Sequence, residues 1–448
     1  MMRRIFVTMG VGIAALLLAA VLLLGWVLGT QSGSRALWAG VSGAVDGLAA
    51  ESMEGRFAGP LAFEGLSFAS DTMRLRIGSL KMEWAPGRLL GGEVLLRTLQ
   101  VEDVAFTQLQ PAPPAAEDAE PFSLPDELSL PVAIALRDIV LRRFEYRSAP
   151  DAAPVRVDEA ALSASFRDTQ LSIDKLSARG PLFELQATAS ARSAGKYPAT
   201  AAVDWQLSPP DLAPLVANLS IDGDLAQMRV AQTIAAPYHV SQEIEVRNLL
   251  SEDMRLDVLI DINGSALQAI RGSLPPAEIS GRLQADGSVT DLRYRATVDV
   301  DSSEFGALAL LASGTATGQV IAIDQGLLSR EPGAATLEFS GRADLAGPAP
   351  AFELRGDWRD LTWPLAGEPR ISSPAGQFDV TGSAEDYSVN LDTSLAVPGQ
   401  ADGQLSLSGR GGSQAFELDD LQLNLLQGTL AGRGEIQWRP DIRGSVTL

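Results

Sequence analysis

Apolar and polar residues alternate with a period of two from about Arg56 onward, and this pattern constrains the chain more than any other feature. In Leu182–Ala189 one parity carries Phe183, Leu185, Ala187 and Ala189, and the other carries Glu184, Gln186 and Thr188. Leu292, Tyr294, Ala296, Val298 and Val300 alternate with Arg293, Arg295, Thr297 and Asp299; Leu405 and Leu407 alternate with Gln404, Ser406 and Ser408. Successive side chains of an extended strand point to opposite faces, so each segment makes a strand with one apolar and one wetted face. Amphipathic helical stretches are short: one around Asp211–Leu219, and one at 34–48, where Ser34 is placed to cap a helix and Leu37, Val41, Val45 and Leu48 share a face. That helix either caps the first strands or lies at a membrane surface. The predicted fold class is all-β with repeats.

Asp222-Gly223, Asn263-Gly264, Asp286-Gly287, Pro332-Gly333 and Asp402-Gly403 read as hairpin turns between strands. Glycines six apart (Gly281 and Gly287, Gly341 and Gly347, Gly376 and Gly382, Gly403 and Gly409) read as the ends of strands of about five residues in a degenerate repeat. Between Gln110 and Pro131 six prolines and the acidic run Glu117–Glu120 exclude sheet pairing, so 110–131 reads as an extended linker. The predicted organisation is a tip and anchor at 1–30, a helix and first β-module at 31–109, the linker, and a repetitive β-body at 132–448. The last residues, Ser445–Leu448, fall inside a strand pattern, from which a truncated chain is expected.

Arg3 and Arg4 precede an uncharged run from Ile5 to Leu28. As a helix this run measures roughly 36 Å, enough to span a bilayer. It exceeds the roughly 7–15-residue apolar core of a cleaved signal, so it reads as an uncleaved anchor whose arginines hold the N-terminus in the cytoplasm. Gly25 and Gly29 form a single small-residue pair, too little to define a helix-packing face.

The remaining composition argues by exclusion. Lys+Arg number 35 and Asp+Glu 56, a net charge of −21, which opposes binding to a phosphate backbone. No cysteine is present, so disulfides and Cys-ligated zinc are ruled out. The single histidine, His239, follows Pro237-Tyr238 at a strand start, and no nucleophile elbow, zinc-protease motif or phosphate-cradling loop occurs. Asp419-Asp420 and Glu102-Asp103 are carboxylate pairs that fit solvated turns. No enzymatic activity, cofactor or metal is expected.

The apolar faces must be covered by something, and no helical layer is available. Three arrangements satisfy this: a sheet rolled onto its own side chains, two sheets packed together, or a sheet enclosing a foreign apolar ligand.

Several short segments, in order, resemble the N-terminal part of the TamB family, in the wider AsmA-like group of Gram-negative bacteria. They are the anchor ending in Gly29-Thr30, then Glu54-Gly55-Arg56-Phe57-Ala58-Gly59-Pro60-Leu61 running into Glu64-Gly65-Leu66, and Trp84-Ala85-Pro86 followed by Leu89-Leu90-Gly91-Gly92. Further on come Trp363-Pro364-Leu365, Ser373-Pro374-Ala375-Gly376, Asp386-Tyr387, Ser408-Gly409-Arg410-Gly411, and Gly428–Gly434 before Trp438-Arg439-Pro440. The resemblance implies a long twisted β-sheet curled into an apolar groove (a β-taco), anchored in the inner membrane with its bulk in the periplasm. It implies a bridge that conducts phospholipid toward the outer membrane and supports assembly of outer-membrane proteins and autotransporters, with an Omp85-type barrel (TamA) as partner. On that reading Phe183, Leu185, Tyr294, Val298, Phe378, Val380, Leu405, Leu407 and Ile436 are the expected groove residues touching phospholipid acyl chains, and Ile5 and Leu28 bound the anchor. The alternative is a β-scaffold for protein secretion without lipid conduction. Roughly 25–30 strands at about 4.8 Å would give a groove on the order of 120–140 Å.

Overall fold

Alternation holds each segment extended, and hydrogen bonding to the next segment satisfies its backbone. A computed structural model describes residues 26–447 apart from 111–123, 211, 271–275, 304–305, 332–334, 348, 365–367, 384, 398–400, 427 and 438–442. The expected anchor from Ile5 and the Pro332-Gly333 turn therefore lie wholly or mostly outside the described residues. No helix among the described residues is long and apolar enough to cross a membrane.

The chain is all-β and divides into two units, one of residues 1–210 and 218–224, the other of 211–217 and 225–448. Each is a long, open, curled sheet.

The first unit opens with helix α1 (Gln31–Ala44), then β1 (Leu48–Ala49) and β2 (Ser52–Gly55), which both pair with β3 (Leu61–Ala69). There follow β4 (Met73–Trp84), the one-turn helix α2 (Pro86–Leu89), β5 (Glu93–Gln108), β6 (Ala133–Arg147) and β7 (Val155–Arg167). It continues through β8 (Gln170–Arg179), β9 (Phe183–Arg192) and β10 (Ala199–Leu207); the next strand, β11 (Leu215–Gly223), is divided between the units. Consecutive strands from β3 to β10 pair antiparallel with one exception: β5 and β6 run parallel, from Glu93 beside Ala133 to Thr107 beside Arg147. The proline-rich stretch thus connects two hydrogen-bonded neighbours of the same unit. A parallel pair needs a crossover of about a dozen residues or more, which a two-residue hairpin cannot supply. Asp103 and Arg143, both at positive φ, form matched irregularities in this ladder. Arg143 closes them with hydrogen bonds to Asp103 (2.5 and 2.9 Å) and Glu102 (2.9 Å).

The second unit contains β12 (Gln227–Ala236), β13 (Val240–Arg247), β14 (Arg255–Ala266), helix α3 (Leu267–Ile270), β15 (Ala277–Ser288), β16 (Asp291–Ser302) and β17 (Gly306–Thr317). Then come β18 (Val320–Glu331), β19 (Thr336–Asp344), β20 (Ala351–Trp363), β21 (Ile371–Ser383) and β22 (Tyr387–Leu395). The last are β23 (Gly403–Gly411), β24 (Ala415–Leu425), β25 (Gly428–Gln437) and β26 (Arg443–Thr447). Each pairs antiparallel with the next.

Two expectations are corrected. The six-spaced glycines do not end five-residue strands: Gly281 and Gly287 both lie inside the 12-residue β15, and Gly376 and Gly382 inside the 13-residue β21. Likewise Asp286-Gly287 and Asn263-Gly264 are within strands, not hairpin turns; Gly264, at φ +56°, makes a bulge that shifts register between Ile262 and Ser265.

Candidate functional site

Residues paired across an antiparallel ladder share a face, so the register joins the apolar parity of each strand into rows. In the first unit one row runs Leu61–Met82–Leu99–Ile139–Leu162–Leu176–Ala187–Val203, crossing every strand from β3 to β10. A second runs Phe63–Leu80–Val101–Leu141–Ala160–Ala178–Leu185–Trp205. In the second unit a row runs from Val230 on β12 through Val258, Tyr294, Leu354, Val380 and Leu418 to Gly434 on β25. Its neighbour continues Ile260–Leu283–Ala296–Ala312–Gly326–Phe339–Gly356–Phe378–Leu391–Leu407–Leu421. No charged residue interrupts these rows.

The glycines are part of this surface. A Cβ at Gly376 would enter the ring of Trp358, one at Gly326 the ring of Phe339, and one at Gly411 the ring of Tyr387. Each of these rings covers a glycine on a neighbouring strand. The aromatic side chain thereby covers exposed glycine backbone and keeps the face low and continuous. Trp358 donates from Nε1 to Ser373 Oγ at 2.7 Å and stacks on Phe378 at 6.4 Å between ring centroids. Tyr294 lies across Gly314 and donates its hydroxyl to the Ala322 carbonyl at 2.9 Å; burial, helped by Asp324, pushes that hydroxyl's pKa up.

Beyond the first strands, where Leu61, Phe63, Leu80 and Met82 pack with Met53 and Trp38 in a small hydrophobic core, these rows are not a filled core. Among the described residues only Met53, Leu61, Phe63, Val104, Ala135, Ala164, Ala217, Ala335, Trp358 and Leu418 are buried hydrophobics, and four of those ten are alanine. The row members Leu80, Leu141, Leu185, Leu354 and Leu391 are half-buried. Two sheets packed face to face would bury them, because side chains interdigitate across about 10 Å. Half-burial is what a single layer gives when side chains shield one another only from the sides.

The opposite parity is charged. Arg342 pairs with Glu353 at 3.0 Å, Arg282 with Asp261 at 2.5 Å and Arg410 with Asp419 at 3.2 Å, with all three arginines well exposed. A concavity of about 1060 Å³ on this face is lined by Arg295, Asp324, Glu338, Arg355, Asp357 and Asp379 among others. The apolar rows themselves form an open band.

The residues singled out from sequence are distributed over both units. Phe183 pairs with Leu207, and Leu185 with Ala178 and Trp205. Tyr294 and Val298 lie two rows apart on β16, and Phe378 and Val380 occupy neighbouring rows on β21. Leu407 joins the Phe378 row through Leu391, and Leu405 lies one row over, between Thr393 and Leu423. Ile436, beside Phe416, is exposed at the sheet's margin, and the other eight are half-buried. Sequence reasoning missed Phe339, Leu354 and Trp358; each is mirrored by a glycine or valine across its hairpin, a signal that could have found them. No metal-binding group of side chains occurs among the described residues.

A family model described as TamB, N-terminal domain, matches residues 20–148, 126–340 and 331–448. No solved structure matches the chain.

Proposed function

Because the chain belongs to the TamB N-terminal-domain family, we propose that it is an inner-membrane-anchored periplasmic bridge. Its apolar band conducts phospholipid toward the outer membrane in support of outer-membrane protein assembly. The observation that carries this reading is the half-buried apolar band, continuous over consecutive strands of each unit. A phospholipid has roughly 30 chain methylenes at about 0.8 kcal/mol each, so free passage through water opposes transfer by on the order of 20 kcal/mol. A band of aliphatic side chains lowers that barrier at every step. Phe183, Leu185, Tyr294, Val298, Phe378, Val380, Leu405, Leu407 and Ile436 are the proposed acyl-chain contacts. An Omp85-type barrel (TamA) is the proposed outer-membrane partner.

The test interrupts the band. Leu405→Asp with Leu407→Asp places two carboxylates in adjacent rows at half-buried positions, where the fold tolerates them. Passage of labelled phospholipid between donor and acceptor membranes is expected to stop, and photo-crosslinkers at Val380 or Leu391 are expected to capture lipid. Unchanged transfer in the double variant, or client polypeptide as the only adduct, would replace conduction with a secretion scaffold.

A further inference from the structure

Helix α1 contains fourteen residues and one charge, Arg35. The face it turns to the sheet is rotated by roughly 60° from the one its apolar spacing indicates. Ser34 is fully buried, Trp38 packs on Phe63 with ring centroids 4.8 Å apart, and Ser42 is half-buried. Leu37, Val41 and the C-cap Val45, at successive four-residue steps, form a second stripe that is 37–40% exposed. Trp26, just before the helix, is also exposed.

The junction beneath this stripe is fastened. Ser34 Oγ donates to the Val27 carbonyl at 3.1 Å and accepts from the Phe57 amide at 3.0 Å. The Ala58 amide donates to the Leu28 carbonyl at 2.8 Å, and Trp84 Nε1 donates to the Phe57 carbonyl. Thr30 caps α1 by accepting from the Gly33 amide at 3.1 Å. Val27 and Leu28 end the apolar run that starts at Ile5, so the end of that run, α1 and the turn between β2 and β3 form one clasped body.

We propose that α1 is an interfacial helix that rests its Leu37–Val41–Val45 stripe in the headgroup layer of the bilayer that the Ile5–Leu28 run enters. This rests on the anchored reading above. Two features on the page choose a membrane surface as the occupant. First, α1 starts only three residues after the run ends and, at about 21 Å, is too short to cross, so what it can offer that bilayer is a side of the helix. Second, in a chain of net charge −21 no acidic residue occurs between Trp26 and Val45, where lipid phosphates would repel one. The clasp then sets β1–β3, and with them the first ends of the apolar rows at Leu61 and Phe63, against the lipid surface.

The absence of cysteine permits single-cysteine labelling of the full chain. Val41→Cys, Ala39→Cys on the opposite side of α1, and Leu17→Cys within the run are labelled with a fluorophore. The protein is reconstituted in phosphatidylethanolamine–phosphatidylglycerol vesicles. Quenching by a nitroxide on the upper acyl chain is expected to be at least about threefold stronger at Val41 than at Ala39, with aqueous iodide showing the reverse order. Equal iodide access at Val41 and Ala39 with Leu17 shielded would overturn the interfacial helix and leave the anchor standing. Iodide access at Leu17 would remove the anchor, and the interfacial helix with it.

Discussion

Gly376→Ala tests the idea that glycines in the apolar rows exist to let rings lie over them. The added methyl would occupy the space of the Trp358 ring, which is 8% exposed and has nowhere to retreat without leaving the face. Displacing the indole removes its 2.7 Å bond to Ser373, at about 1 kcal/mol, and its stack on Phe378, at about another 1 kcal/mol. Overpacking strain adds about 1 kcal/mol or more. The sum is about 3 kcal/mol, and because a repetitive sheet loses stability locally it should fall on β20–β22. Hydrogen exchange of amides in these strands is expected to accelerate roughly a hundredfold, since about 1.4 kcal/mol corresponds to tenfold, with little change in β12–β14. In a Trp358→Leu background the same glycine substitution is expected to alter exchange by less than about tenfold, because no ring then overlies position 376. Equal effects in both backgrounds would refute the ring-over-glycine explanation.

Other outcomes follow from polar junctions. Hydrogen bonds from Arg143, and for Glu102 also from Arg142, hold the Asp103 and Glu102 carboxyls below the ordinary carboxylate range. Depressed folded-state values mean that their contribution to β5–β6 is present above the unfolded values near pH 4 and lost as pH falls through the folded ones. Carbon-13 titration of these carboxyls should therefore show midpoints below the ordinary range. In Arg143→Met the Asp103 midpoint should return to it, while the Glu102 midpoint, still bonded by Arg142, should rise without fully returning. Ordinary midpoints in the unaltered chain would contradict the matched-irregularity geometry. Ser34→Ala leaves the Phe57 amide and Val27 carbonyl without their shared partner, at about 1–3 kcal/mol. Faster exchange at Phe57 and Ala58 is the expected sign, and unchanged protection there would mean that the clasp does not hold the junction.

The extent to which the architecture was legible in the sequence differs between its levels. Parity was legible because it is local: Phe183, Leu185, Tyr294 and Val298 alternate with charged or polar neighbours whatever strand they join. The role of the glycines was not legible. Gly376 reads in isolation as a strand breaker, and only its pairing partner Trp358 shows why a strand continues through it. The stretch 110–131 reads as unsuited to sheet pairing; residues 111–123 of it lie outside the described residues, Glu127 in the remainder bridges to Ala194, and composition says nothing of the parallel ladder between the strands on either side. The stripe Leu37–Val41–Val45 was visible as a helical face, but the sheet packs against Ser34 and Trp38 instead, because hydrogen bonds to Val27 and Phe57 fix the helix's rotation.

The amino-acid order by itself determined an all-β chain with one apolar and one charged face per strand, since a two-residue period depends on backbone geometry alone. Tertiary structure decided which apolar residues adjoin and which rings cover which glycines. It also decided that the apolar face stays half-buried in a single layer. Those outcomes depend on hydrogen-bonded register between segments, which no single segment encodes.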